Sequence, residues 1–241
     1  MSIVCDNGIL VSVKKYNERC SRVIIFSENN GIVQTFARTS RVLGPGQVYD
    51  FLSFRCRYVD SYNYRDLEMS TIRGYLRNVF NNSLSMAILN SAVAIVNLFL
   101  KERGSMENLY KLFKNLLFLT EFPSAKLLTH YLDLLLNILI FFGIRLNTNR
   151  CAVTGVDNSA YYISPKTGNC VSREVGEKYK NRLFMIPESF SRYSESKEDI
   201  SNAVEIVHYF LRRIYSDSGM GGGIRAVEIF KGILLEEIQK M

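Results

Sequence analysis

The chain has 241 residues, of which 47% are hydrophobic, so it can bury a sizeable core and wholesale disorder is excluded. Its 30 Lys and Arg residues outnumber 23 Asp and Glu residues, and the net charge of +7 favours polyanionic partners. Five cysteines at irregular spacing argue against a disulfide scaffold, and the longest apolar zone, residues 131–142, is too short for a transmembrane helix.

The first part of the chain has the pattern of a small β-barrel. Short, β-branched runs predict strands at residues 8–13, 22–27, 31–37, 48–59 and 61–70. Asn30 and Gly31 predict a hairpin turn between the second and third strands, because both residue types tolerate positive φ. So many strands in so short a segment must close on themselves or cover their edges, which favours a barrel.

The hydrophobic period becomes helical after residue 82. Apolar runs and one-sided apolar faces predict helices at residues 83–100, 106–120, 124–143, 172–183, 200–214 and 224–240. Ser105 is expected to cap the second helix, Pro123 and Ser124 to open the third, and Gly143 to end the third as its C′ residue. Residues 151–170 interrupt the helices as an irregular β-rich insert.

The most specific pattern lies in that insert. It contains a cysteine–glycine turn at residues 151–155, an aromatic strand at 161–163, a Ser-Pro-Lys-Thr-Gly turn at 164–168 and a second cysteine segment at 170–172. This order resembles the small central lobe of the RecO family of bacterial recombination mediators, which reads roughly C-x-x-T/C-G…Y-x-S-P-x-x-G-x-x-x-S. Weaker agreements, such as the Leu-Gly-Pro-Gly turn at 43–46, follow in family order along the whole chain.

The resemblance implies an α+β protein. It implies an N-terminal OB-fold β-barrel followed by an α-helical domain that carries a small β-rich, zinc-finger-like lobe. The expected boundaries are 1–77 for the barrel, 78–150 for the first helical part, 151–182 for the lobe and 183–241 for the second helical part.

The cysteines of the lobe do not form a zinc set. Some members of the family carry two close cysteine pairs here, but this chain keeps Cys151 and has Thr154 where the paired cysteine would stand. Cys170 has no close Cys or His neighbour in the sequence, and a structural zinc site needs four such ligands. We therefore expect no metal, no cofactor, and cysteines that are packed as small buried residues.

The sequence offers little for catalysis. His130 and His208 lie in predicted helices, there is no Gly-x-Ser-x-Gly motif, and residues 219–223 lack the Lys-Ser/Thr of a phosphate loop. The carboxylates of the strand region are interspersed with arginines, which is typical of a mixed surface. We expect no enzyme activity, although a hydrolase built around the lobe stays an alternative.

Nucleic-acid binding has more support. OB barrels bind single strands through a basic groove and exposed aromatic rings. The candidate DNA-binding residues are Lys14, Lys15, Arg19, Arg22, Arg38, Arg41, Arg55 and Arg57 in the barrel, with Lys166 and Arg173 in the lobe. Tyrosines such as Tyr16 are interleaved with them, and Arg55 and Arg57 share strand parity. The same residues also fit an ordinary solvated barrel surface.

Protein partners come from the resemblance. RecO-like proteins pair with RecR and bind the acidic C-terminal tail of single-strand-binding protein, and act indirectly on RecA. Such a tail needs an apolar pocket beside a cation. Lys111, Lys114 and Lys126 flank apolar helix faces and are the candidates, although they also fit the solvated ends of core helices.

The function implied is that of a DNA repair and recombination mediator. It would bind single- and double-stranded DNA, anneal complementary strands, and act with RecR and single-strand-binding protein to load RecA. No secretory signal or membrane partner is expected, and the resemblance places the protein in the bacterial cytoplasm at the nucleoid. The alternative is an OB-fold RNA-binding or translation-associated module.

Overall fold

A computed structural model describes most of the chain, namely residues 3–38, 47–60, 63–75, 79–80, 82–100, 106–120, 125–218 and 224–241. The backbone divides into two compact units, Met1–Pro123 and Ser124–Met241. No helix within these ranges combines the length and the apolar character that crossing a bilayer would require.

The first unit begins with five strands, β1 (Ile3–Lys15), β2 (Cys20–Ser27), β3 (Gly31–Arg38), β4 (Phe51–Asp60) and β5 (Asn63–Arg73). They close into a barrel in the order β1-β2-β3-β5-β4. Long β1 pairs antiparallel with both β2 and β4, and Gly8 pairs with each of them. Parallel strands β3 and β5 pair, in the described residues, at Thr35 and Tyr64. This topology confirms the predicted OB fold, a five-stranded Greek-key barrel.

Every second side chain along the strands points inward, and these side chains fill the barrel. Its interior is built from buried apolar side chains at Leu10, Val23, Ile25, Val33, Ala37, Leu52, Phe54, Cys56 and Leu67. Gly31 has φ 65° and closes the predicted β2–β3 hairpin turn. The Asp6 carboxylate of β1 accepts hydrogen bonds from Asn29 N at 2.9 Å and Asn30 Nδ2 at 2.8 Å, which ties this turn to the neighbouring strand.

Helices α1 (Ser83–Phe99) and α2 (Glu107–Leu119) follow in the same unit. The Asn82 side chain caps α1 by accepting from the backbone N–H of Ser85 at 2.8 Å. Helix α2 packs on the barrel. The ring of Phe26 on β2 contacts the rings of Tyr110 and Phe113 on α2 at centroid distances of 5.5 and 5.8 Å. Ser105, the predicted cap of α2, lies outside the described residues.

The second unit holds the remaining α-helices and strands of the described residues. They are α3 (Ala125–Phe141), β6 (Ala160–Ile163), β7 (Cys170–Ser172), α4 (Arg173–Gly176), β8 (Phe184–Met185), α5 (Lys197–Asp217) and α6 (Ile224–Lys240). The three strands form the small lobe in the order β7-β6-β8. Gly143 has φ 83° and ends α3 as predicted, with Ile144 N donating to the Leu139 carbonyl at 2.9 Å. Pro123, Ser124 and the glycine run 219–223 lie outside the described residues.

The helix predicted at 172–183 is instead two short pieces. Helix α4 ends at Gly176 and a 3-10 helix, Glu177–Arg182, replaces its continuation. Gly176 is buried, and an added Cβ would overlap the ring of Tyr162. The tight packing of a poor helix former against the β-lobe therefore ends the regular helix.

Candidate nucleic-acid interface

Three strands of the barrel share an outer face near the β1–β2 hairpin. Lys14 pairs with Arg22, and Arg22 pairs in turn with Phe36, so these residues form one row across β1, β2 and β3. All three are exposed, whereas the adjacent Val23 and Thr35 are buried, as the two-residue period of a strand requires. The row therefore faces solvent.

The hairpin adds a second aromatic ring and the end of β3 adds a further cation. Tyr16 is 71% exposed and packs edge-on against Phe36, with the ring centroids 5.2 Å apart. Arg38 is exposed and lies two residues beyond Phe36, which puts it on the same face of β3. Lys14, Tyr16, Arg22, Phe36 and Arg38 together are called the aromatic–basic face below.

Polar contacts hold parts of this face in place. Arg22 Nη2 donates to Gln34 Oε1 at 2.7 Å, which lays the guanidinium along the sheet beside Phe36. Lys15 and Arg19 are exposed at the hairpin, where the backbone N–H of Arg19 donates to the Asn17 side chain at 3.0 Å. Arg41, another predicted DNA-binding residue, lies outside the described residues.

The other predicted barrel arginines have mixed-charge surroundings. Arg55 lies opposite Glu68 in the β4–β5 register, and Arg57 forms an ion pair with Asp66. Both arginines are exposed, and a register shift falls between them. Because the carboxylates offset the positive charge, this part of β4 attracts a phosphate less than the aromatic–basic face does.

The lobe of the second unit carries its own cations. Lys166 and Arg173 are exposed, and the Arg173 guanidinium lies 5.4 Å from the centroid of the Tyr161 ring. The 3-10 helix that follows adds exposed cations at Lys178, Lys180 and Arg182. This surface offers a guanidinium–ring pair and several ammonium groups to a polyanion.

The lysines predicted to bind a partner tail have three different environments. Lys111 is paired with Glu107 at 2.5 Å, and Lys126 is exposed in the second unit. Lys114 Nζ lies 4.6 Å from the centroid of the Phe51 ring. Of the three, Lys114 is the one that combines a cation with an aromatic surface.

That surface extends to the neighbouring strand. Arg73 pairs with Phe51 in the β4–β5 register, and its guanidinium lies 5.6 Å from the centroid of the exposed Phe118 ring. Lys114 and Phe118 are four residues apart on α2 and share a helix face. Phe51, Arg73, Lys114 and Phe118 thus form an apolar–cationic patch on the first unit.

The two lobe cysteines are buried, and their chemistry differs. Hydrogen bonds from the Thr154 side chain and from the backbone N–H groups of Thr154 and Ser172 lower the pKa of Cys151 to about 6. Burial raises the pKa of Cys170 to about 11. Within the described ranges, His, Cys, Asp and Glu side chains do not gather in groups of three or more that could hold a metal. Cys151, with a threonine at the paired position, and Cys170 do not supply the four ligands of a structural zinc site.

Of the two histidines, His208 is buried in the second unit. Its Nε2 lies 3.2 Å from the Tyr131 hydroxyl, and burial lowers its pKa to about 4. A ring enclosed by helices has no path to a substrate, so His208 acts in packing. His130 lies half-buried on α3.

Phe36 and Gln34 are not among the residues that the sequence predicts for the site. The two-residue period of a strand is a signal for both residues. If Val33 and Thr35 in the run 31–37 point inward, the even-numbered residues of that run face solvent. What the sequence does not reveal is that Tyr16 reaches Phe36 across β2, since that contact depends on the register of two hairpins.

Comparison with known proteins adds to this geometry. A family model described as "Recombination protein O C terminal" matches residues 82–217. The DNA repair protein RecO of Rickettsia canadensis is 27% identical over 216 residues, which are 86% of this chain and 87% of the relative. The corresponding protein of Wolbachia pipientis subsp. Culex pipiens is 28% identical over 216 residues, covering 86% of this chain and 89% of the relative.

Another relative aligns over nearly the full length. The DNA repair protein RecO of Rickettsia bellii is 24% identical over 239 residues, which are 96% of both chains. The alignment thus includes the barrel as well as the helices and lobe that the family model matches. Sequence, topology and relatives agree, and the chain belongs to the RecO family of DNA repair and recombination proteins.

Proposed function

We propose that this chain is a recombination mediator that binds single- and double-stranded DNA and anneals complementary strands. In this role it acts with RecR and single-strand-binding protein to load the RecA recombinase at the nucleoid of a bacterial cytoplasm. The observation that carries the proposal is the aromatic–basic face, because cations attract phosphates and exposed rings stack on unpaired bases.

Annealing by such a surface needs no covalent chemistry. Two complementary strands repel each other through their phosphates, and lysine and arginine side chains that neutralise them lower this repulsion. Holding both strands on one protein also raises their local concentration. The protein works as a binding mediator and not as an enzyme, and the cations of the lobe offer a second contact for the DNA.

The apolar–cationic patch supports the proposed docking of single-strand-binding protein. An acidic tail that ends in apolar residues needs rings to pack against and cations for its carboxylates. Lys114 and Arg73 supply the cations beside two phenylalanine rings. Lys111 and Lys126 stay candidates for the same role.

The test is a fluorescence annealing assay with complementary oligonucleotides, with and without single-strand-binding protein. Arg22→Glu combined with Arg38→Glu should slow annealing, weaken binding to both single strands and duplex by roughly ten-fold, and flatten the salt dependence of affinity. Arg55→Glu combined with Arg57→Glu is the matched charge change, and we expect a smaller loss because carboxylates already face those arginines.

Two results would contradict these assignments. Unchanged affinity of the Arg22 and Arg38 variant would remove the face from the DNA site. Failure of the unmodified protein to bind any unpaired oligonucleotide near 0.1 M salt would overturn the proposed function itself.

The RNA-binding alternative uses the same face, since RNA also offers phosphates and unpaired bases. Competition of an unlabelled RNA against bound DNA of the same sequence separates the two functions. Displacement by RNA at much lower concentrations than by DNA would favour the translation-associated module.

A further inference from the structure

We infer that Tyr16 and Phe36 form a stacking platform for an unpaired base, and that this platform makes the barrel prefer single strands to duplex DNA. The inference rests on the proposed function and specifies which ligand the aromatic–basic face selects. It assigns different tasks to the rings and to the cations that surround them.

The exposure of the two rings is the first support. Tyr16 is 71% exposed in the β1–β2 hairpin, and Phe36 is 39% exposed on β3, whose inward positions Val33 and Ala37 already belong to the core. Neither ring is needed to close the barrel. The edge-on contact between them, at 5.2 Å, fixes their mutual orientation and leaves flat ring surface open to solvent.

The arrangement of charge around the rings is the second support. Lys14 and Arg22 precede Phe36 in one row across the strands, and Arg38 follows it on β3. A polyanionic strand that crosses this row can place phosphates on the cations while a base lies over a ring. The side-chain spacing of a strand, about 7 Å between residues of equal parity, is comparable to the spacing of nucleotides in an extended single strand.

Base pairing decides which ligand can use the platform. In a duplex the bases are stacked on each other and their faces are not accessible, so a duplex meets only the cations. An unpaired strand meets both the cations and the rings. The rings therefore add affinity for single strands alone, and because stacking is possible for every base, the preference does not depend on sequence.

The chain contains no tryptophan, which allows a direct probe. Tyr16→Trp introduces a single indole at the platform, and its fluorescence should be quenched when an unpaired oligonucleotide such as a thymidine 20-mer binds. A blunt duplex of the same length should bind with little quenching. Phe80→Trp is the control, because Phe80 is 66% exposed in the same unit but is not part of the aromatic–basic face.

Affinity gives the second readout. Tyr16→Leu combined with Phe36→Leu keeps apolar bulk, removes both rings and leaves every charge in place. We expect about a ten-fold loss of affinity for the thymidine oligonucleotide, less than about two-fold for the duplex, and an unchanged salt slope for both. A Phe80→Leu variant should match the unmodified protein.

The outcomes separate this inference from the proposed function. Equal losses for single strand and duplex, or no loss for either, would overturn the platform while DNA binding stands. Absence of any complex between the unmodified protein and the unpaired oligonucleotide would overturn both. Circular dichroism and thermal melting of each variant verify that the barrel is folded, as expected for two exposed side chains.

Discussion

The sulfur of Cys151 accepts hydrogen bonds from the backbone N–H groups of Thr154 and Ser172, at 3.4 and 3.2 Å. The Thr154 hydroxyl lowers the pKa of Cys151 most, and with these backbone donors, which also favour the thiolate, it brings that pKa to about 6. The turn thus keeps the backbone arrangement that stabilises a sulfur anion, although a threonine stands at the paired position.

This environment predicts a thiolate at neutral pH. Thiolates absorb at 240 nm, so the absorbance of the protein at this wavelength should fall on acidification with a midpoint near pH 6. Cys151→Ser should remove that step. Thr154→Val should move the midpoint upward, because the hydrogen bond from the Thr154 side chain, which lowers the pKa of Cys151 most, is lost. A midpoint above pH 8 in the unmodified protein would contradict the assignment.

His208 predicts how stability depends on pH. Burial, and next the charge of Lys231, lower its pKa from 6.5 to about 4, while Glu228 acts in the opposite direction. Between these pH values the unfolded chain takes up a proton that the folded chain excludes, so stability present above pH 6.5 is lost as the pH falls towards 4. At pH 5 the free energy of unfolding that is lost through the His208 ring is about 2 kcal/mol.

Urea unfolding at pH 7 and pH 5 measures this loss. His208→Gln keeps a polar partner for Tyr131 but does not titrate, so its free energy of unfolding should fall less between the two pH values than that of the unmodified chain. The same pH dependence in both proteins would show that groups other than His208 carry the effect.

At the scale of elements, Asp6 joins β1 to the β2–β3 hairpin. Its carboxylate accepts from the Ser27 hydroxyl and from the Asn29 and Asn30 groups of the turn. Partial burial raises its pKa, but these hydrogen bonds outweigh burial and the net pKa is below the ordinary value. The ionised form is therefore the one that holds the turn.

Removing this carboxylate should loosen the hairpin. We expect Asp6→Ala to lower the free energy of unfolding by about 2 kcal/mol at pH 7, since several donors lose a charged acceptor. Asp6→Asn keeps the shape and one carbonyl acceptor, so its loss should be smaller. Denaturant titration of the three proteins tests the order, and equal stability of Asp6→Ala and the unmodified chain would contradict it.

The sequence predicted which elements exist better than where they end. The sequence predicts a strand over residues 8–13, but β1 begins at Ile3 because residues 3–7 pair with β4, and that pairing joins segments about fifty residues apart. Local propensity contains no such information. The sequence does predict the end of α3 at Gly143, because a glycine after an apolar helical run is a local signal, and its φ is positive.

The candidate site was predictable as a set of cations but not as a surface. Arg22, Arg38, Arg55 and Arg57 were equivalent in the sequence, and only the β4–β5 register reveals that Arg55 and Arg57 face carboxylates. The contact of Tyr16 with Phe36 depends on the registers of the β1–β2 and β2–β3 hairpins, which composition does not indicate.

At the scale of the whole molecule, positive charge is carried by both units. The net charge of +7 favours a long polyanion over a small ligand, and the chain presents cations on the barrel and again on the lobe. The proposed boundaries at 1–77, 78–150, 151–182 and 183–241 stay predictions. Binding through several separate cations should make affinity strongly dependent on ionic strength.

Long β1 serves two neighbours, and Gly8 lies where it passes from Leu52 of β4 to Ser27 of β2. A methyl group at this position would overlap the Ile25 side chain and lie 2.8 Å from the carbonyl oxygen of Phe26. The close packing of β1 against β2 therefore requires a glycine at this position. A larger residue would push these strands apart and change the curvature of the outer barrel surface, where we propose that a nucleic acid binds.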